Sequence, residues 1–174
     1  WKQAAKARKL LGGFSDITSL IGGLMSQSNL ASLHAPTPSY FLHGKPGEAE
    51  SLVALRKFLF AEAKKQTSYR ELCGPAFQPQ TIRKGKAKGI LIGGNASVFV
   101  CSLGTKFMPK AKSIILFLED IGEKPYKLDR YVTHLVNAGY MKNVSGVILG
   151  AFDDCDPQGG DQRKALGVLA DCLL

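Results

Sequence analysis

Residues Ser113–Leu118 read Ser-Ile-Ile-Leu-Phe-Leu and pass directly into Glu119-Asp120. An almost wholly apolar run of this length, with no polar alternation, is what a strand covered on both faces requires. Strands of that kind belong to parallel sheets, whose crossover connections lay helices over the faces. Gly89–Asn95 and Val144–Leu149 are two more short runs of the same texture. Helical spacing fills the intervals. Tyr126–Ala138 sets Leu128, Val132, Leu135 and Val136 on one side and stops at Gly139. Residues 47–66 set Leu52, Leu55, Leu59 and Ala63 on one side, with Arg56, Lys57, Lys64 and Lys65 facing away. Residues 164–174 open a last helix, and Val98–Leu103 suits a strand or a short helix. Alternating strand and helix predicts an α/β fold.

A chain of 174 residues can bury one ordinary core or two small ones. With 45% hydrophobic and 21% charged residues it is globular rather than disordered. No apolar run approaches the ~20 residues of a membrane span, and no secretory signal opens the chain. Cys73, Cys101, Cys155 and Cys172 form no CxxC pair, and no histidine stands at zinc-ligand spacing from them. They are expected to be free thiols in a reducing compartment. The net charge of +9 gathers in Lys2–Lys9 and Arg83–Lys88. Such a balance concentrates anions, whether nucleic acid or a multiply carboxylated substrate. Neither basic run interleaves aromatics as a base-stacking platform would, so both read as solvated faces.

Gly13-Phe14-Ser15-Asp16 lies between the apolar pair Leu10-Leu11 and a helical pattern of Ile17, Leu20, Ile21, Leu24 and Met25. A small residue placed two before a serine, at a strand-to-helix turn, is how several hydrolases lift a nucleophilic hydroxyl above a sheet. The first N–H groups of the helix can then hold an oxyanion. The same Ser-Asp before an apolar run also reads as a plain helix N-cap. Gly22 and Gly23 weaken this helix and suit close packing on a neighbour.

Glu119 ends a buried strand, where side chains of α/β sheets face the ligand crevice. A carboxylate there can orient a histidine and stabilise its charged form. It can equally cap a helix or pair with Lys124 or Arg130. His34 precedes Ala35-Pro36 in a turn, His43 lies in a loop, and His134 falls on the surface of the 126–138 helix. None stands at a spacing that marks it as the base for Ser15. Gly93-Gly94-Asn95 is neither a dinucleotide fingerprint nor a P-loop. It suits a tight turn or close backbone approach, or a backbone or Asn95 amide contact to substrate. Asp153, Asp154 and Asp156 share one loop without the glycine and glutamate of a calcium-binding hand, and read as a solvated acidic loop.

Taken together, these segments resemble the LD-carboxypeptidases, a serine peptidase family that also contains the microcin-C immunity hydrolases. Gly13-Phe14-Ser15-Asp16-Ile17-Thr18-Ser19-Leu20 resembles the family's nucleophile segment. His34-Ala35-Pro36 is similar to its His-Gly-Pro turn, with alanine for glycine, and Gly93-Gly94-Asn95-Ala96-Ser97 to its Gly-Gly-Asn-Leu-Ser motif. Leu116–Asp120, Glu123, Pro125-Tyr126 and Asp129-Arg130 resemble its acid-bearing segment, and Gly146–Gly150 continues the match.

The resemblance implies part of a parallel-sheet nucleophile domain over residues 1–66, a connector over 67–88 and a smaller α/β domain over 89–174. It implies that Ser15 attacks an amide carbonyl, that the Asp16 backbone N–H is an oxyanion donor and that Glu119 orients a histidine. Gly94 and Asn95 are expected to contact substrate. No metal or organic cofactor is implied. The implied substrate is a murein tetrapeptide, cut at the L,D-amide to its terminal D-alanine by a cytoplasmic homodimer with no membrane or nucleic-acid partner. A peptidyl-nucleotide amide hydrolase and a non-catalytic basic binding module are the alternatives. The family's catalytic histidine sits in a Gly-His motif, and none follows Gly150. The family's opening strands are also missing, so these residues alone are expected to be inactive or weak.

Overall fold

The computed structural model describes residues 1–7, 9–38, 48–60, 67–157 and 163–173. In chain order these form α1 (Lys2–Ala7), β1 (Gly12–Gly13), α2 (Ile17–Ser28), β2 (Leu33–His34), α3 (Glu48–Leu59) and α4 (Tyr69–Cys73). Then follow β3 (Ile90–Asn95), α5 (Ala96–Val100), β4 (Ile114–Ile121), α6 (Pro125–Asn137), β5 (Val144–Asp153) and α7 (Ala165–Leu173). The fold is α/β, and every strand pairing is parallel.

Two compact units emerge: Trp1–His34 with Arg83–Leu174, and Ala35–Ile82. This grouping differs from a division at residues 66 and 88. The first 34 residues group with the C-terminal part because α2 packs on β3 and α5. The segment expected as a connector contains α4, held by a capping box. The Ser68 N–H donates to Glu71 Oε2 at 2.7 Å, and the Glu71 N–H donates to Ser68 Oγ at 3.2 Å. In the same unit, the expected 47–66 helix is seen as α3 to Leu59, and residues 61–66 lie outside the described set.

In the first unit β3, β4 and β5 form a sheet in that order. β4 is the central strand, and its pleat sorts the residues by parity. Ile114, Leu116, Leu118 and Asp120 are buried on one face. Ile115, Phe117 and Glu119 are only half-buried on the other. The apolar run therefore has one sealed face and one partly covered face, rather than two sealed ones. Ile92, Phe99, Val100, Met108 and Leu135 complete the main core. β5 was expected to be buried, yet Ile148 is exposed. It runs on to Asp153 and pairs on one side only among the described residues.

In two helices one residue of the expected apolar stripe lies outside the buried face. In α2 the buried residues are Thr18, Ile21, Gly22 and Gly23, while Leu20 is exposed. The two glycines draw that face in: a Cβ on Gly22 would lie 3.5 Å from Pro109, and one on Gly23 2.9 Å from the Trp1 ring. In α6, Leu128, Val132 and Leu135 are buried, whereas Val136 lies at the margin of that stripe and is exposed.

Candidate active site

Ser15 lies in the turn that joins β1 to α2, exposed, with φ +55 in the left-handed region. A non-glycine residue there costs roughly 1–2 kcal/mol, so the surroundings must hold it. The Ile17 N–H donates to the Phe14 carbonyl at 3.1 Å and the Thr18 N–H to the Ser15 carbonyl at 2.9 Å. Glycine is required two residues earlier, since a Cβ on Gly13 would lie 2.7 Å from Ile17 Cγ2. The residue at the N-cap position is Asp16, whose side chain makes no capping bond. The ordinary capping explanation of this Ser-Asp pair is therefore not what the structure shows.

The helix that follows Ser15 is fastened to the sheet one turn on. Thr18 is buried, and its Oγ1 accepts the Asn95 N–H at 3.0 Å. The two glycines before Asn95 answer to two different neighbours. A Cβ on Gly93 would meet the Phe117 carbonyl oxygen of β4, and one on Gly94 would lie 2.5 Å from Thr18 Oγ1. Close backbone approach, not a turn, explains this pair.

Asn95 was expected to touch substrate, but its side chain is committed internally. Oδ1 accepts from the Val98 N–H at 3.2 Å and from Ser97 Oγ at 2.7 Å, capping α5. Nδ2 donates to Asp120 Oδ1 at 2.9 Å. Asp120, buried, also accepts the Ser97 N–H and the Ile121 N–H, each at 2.9 Å. A buried carboxylate with three donors is a satisfied brace between β4 and the start of α5. Sequence reasoning missed it: nothing in the Glu-Asp pair says which member the pleat buries.

Glu119, next along β4 and opposite Asn95 in register, has the contrary surroundings. Burial, reinforced by the nearby Asp120 and Asp153 charges, pushes its carboxyl up to about 7, and the Asn95 amide partly offsets this. On β5, Gly150 leaves room for it, since a Cβ there would lie 3.0 Å from Glu119 Cβ. The expected alternatives, a helix cap or a pair with Lys124 or Arg130, are not observed; the side chain that faces Glu119 Oε1 is that of His34.

The neighbour of Glu119 is His34. Its Nε2 stands 3.6 Å from Glu119 Oε1, beyond hydrogen-bond length. Burial lowers the imidazole pKa, so near neutral pH an uncharged His34 stands beside a carboxyl that is only partly ionised. The ring lies edge-on to Phe117, with centroids 5.1 Å apart. Of the other histidines, His134 is exposed on α6 and His43 lies outside the described residues.

Among the described residues no three His, Cys, Asp or Glu side chains are grouped to hold a metal ion. Asp156 has a local duty, accepting the Ala165 N–H at 2.9 Å at the start of α7. A cavity of about 800 Å³ lies between α6 and α7, lined in part by Tyr126, Asp129, Cys155 and Cys172. None of Ser15, Asn95 or Glu119 lines it.

The sheet is parallel, and Ser15 stands exposed on a strained strand-to-helix turn. Residues 88–173 match the LD-carboxypeptidase C-terminal domain. That part of the chain is therefore an LD-carboxypeptidase C-terminal domain by its sequence. It is 33% identical over 170 residues to a probable murein peptide carboxypeptidase of Bacillus subtilis (strain 168), covering 97% of this chain and 51% of that protein. The crystal structure of muramoyltetrapeptide carboxypeptidase from Oxalobacter formigenes superposes with a TM-score of 0.76 at 24% identity, covering 97% of this chain and 55% of that one. The microcin C7 self immunity protein MccF, in its wild-type apo state, superposes with a TM-score of 0.76 at 22% identity, covering 99% and 57%. At such identities these two likenesses speak for the fold. The chain spans about half the length of the curated relatives it matches.

Proposed function

We propose that these residues supply the nucleophile and the acid of a serine carboxypeptidase that cleaves the L,D-amide to the terminal D-alanine of murein tetrapeptides. One observation carries the reading. Thr18, three residues after Ser15, is bonded to the backbone of Asn95, and Asn95 pairs in register with Glu119. The serine turn is thereby fastened to the carboxyl end of the sheet, one strand from the acid. The name of the Bacillus protein supports the substrate class. The net charge of +9 suits a peptide bearing several carboxylates.

In this reading Ser15 Oγ attacks the amide carbonyl. The Asp16 N–H, which donates to no backbone acceptor among the described residues, receives the developing oxyanion at the positive end of α2. Glu119, when ionised, orients the histidine that takes the serine proton and stabilises its charged form. Gly94 and Asn95 form the floor on which α2 and Glu119 are set. The four free thiols fit a cytoplasmic enzyme, and a homodimer is the assembly proposed.

The family's Gly-His motif does not occur within these 174 residues. A triad lacking its base loses on the order of 10⁴-fold or more in rate. Purified 1–174 should therefore release D-alanine from murein tetrapeptide at least about 10⁴-fold more slowly than the complete gene product. Equal rates would remove the need for a further histidine. A parallel assay on a peptidyl-nucleotide amide checks the substrate, and a preference for it would overturn the murein assignment.

A further inference from the structure

His34 is not singled out by its spacing, yet the fold gives it two contacts that bear on the site. β2 pairs with β1 in the register Gly13↔His34, so His34 sits beside the strand that enters the Ser15 turn. Its side chain crosses to the half-covered face of β4, where the ring meets Phe117 and Nε2 faces Glu119 Oε1. Glu119 Oε1 is buried without a hydrogen-bond partner among the described residues, and so is His34 Nδ1. An orphaned buried carboxylate oxygen is costly, and a neutral imidazole 3.6 Å away needs only a small shift to donate to it.

We propose that His34 is a positioning residue: its Nε2–H donates to Glu119 Oε1 and holds that carboxylate ionised and correctly turned beside the Ser15 strand. The tautomer with its proton on Nε2 suits this geometry, because Nε2 is the nitrogen that faces the acid. The groups acting on Glu119 come from four strands. Asp120 on β4 and Asp153 on β5 oppose its ionisation, while Asn95 on β3 favours it. His34 on β2 is the remaining donor and the one whose bond is not yet closed.

The kinetic arm rests on the serine carboxypeptidase reading, so Ser15→Ala is assayed alongside. In the complete gene product, His34→Leu keeps the apolar contact with Phe117 and removes the donor. It should lower kcat about tenfold, leave KM within about twofold and raise the acid-limb midpoint of the pH profile by about one pH unit. His34→Gln restores an N–H at similar reach and should recover most of kcat and the original midpoint. It also serves if His34→Leu fails to fold. A 13C titration of the Glu119 carboxyl in both variants needs no turnover: its midpoint should rise in His34→Leu and return in His34→Gln. An unmoved Glu119 titration and acid limb in His34→Leu, with Ser15→Ala inactive, would overturn the positioning role alone. Full turnover by Ser15→Ala would overturn the peptidase reading, and the titration would still decide the role of His34.

Discussion

Glu119 and Asp120 are adjacent carboxylates with opposite fates, and one step along a strand separates them. Asp120 points into the sealed face and receives three donors. Glu119 points to the half-covered face, where burial and two neighbouring aspartates push its carboxyl up to about 7. The linkage runs in the less familiar direction for an acid. Between the unfolded value near 4.5 and about 7 the folded chain binds more protons than the unfolded one. Stability therefore falls as pH rises through that window and stays at the lower level above it. Glu119→Gln, which cannot ionise, should be more stable than the wild type by about 1–2 kcal/mol at pH 8 and equal to it near pH 4.5. Urea unfolding at the two pH values measures this. An equal gain at both would locate the effect in packing rather than ionisation.

At the scale of elements, the site is built by the docking of α2 on the end of β3. Gly94, at φ +146, is the contact that permits it. Gly94→Ala places a methyl group 2.5 Å from Thr18 Oγ1 in a backbone conformation that alanine resists. We expect a loss of about 2–4 kcal/mol in urea unfolding and a fall in any turnover that depends on Ser15. Unchanged stability would show that α2 can move away without penalty.

This docking also marks where the amino-acid sequence stops being legible. The strands around 90–95 and 114–121, the helices around α2 and α6, and the turn at Ser15 all follow from local pattern, because period and turn chemistry are local. The requirement for Gly93 and Gly94 was visible as close backbone approach, but not the partners that demand it. Asp120 could not be told from Glu119, because the parity of a pleat shows only once its neighbours are packed. His34 could not be joined to Glu119, because 85 residues of chain separate two groups that only the sheet brings together. In α2 the place of Leu20 outside the buried face was not legible, whereas the close packing over Gly22 and Gly23 was.

For the molecule as a whole, part of the positive charge stands at the end of the sheet opposite the acids of the site. The acids Glu119, Asp120 and Asp153 gather at the carboxyl ends of β4 and β5. Lys88, Lys112 and Lys142 stand just ahead of β3, β4 and β5. In the proposed function, these three lysines would act on an anionic substrate as a long-range field rather than as contacts at Glu119. Raising ionic strength from about 50 to 200 mM should then lower kcat/KM for the tetrapeptide severalfold while leaving kcat nearly unchanged. A drop confined to kcat would place the cations in the chemistry instead.

The assignment of Ser15 as nucleophile is the claim on which the rest depends. Its most direct measurement is D-alanine release from murein tetrapeptide by the complete gene product and by its Ser15→Ala variant, both shown to be folded by circular dichroism. The account predicts a fall in kcat on the order of 10⁴-fold or more with the tetrapeptide still bound. Turnover by Ser15→Ala within a few-fold of the wild type would contradict it.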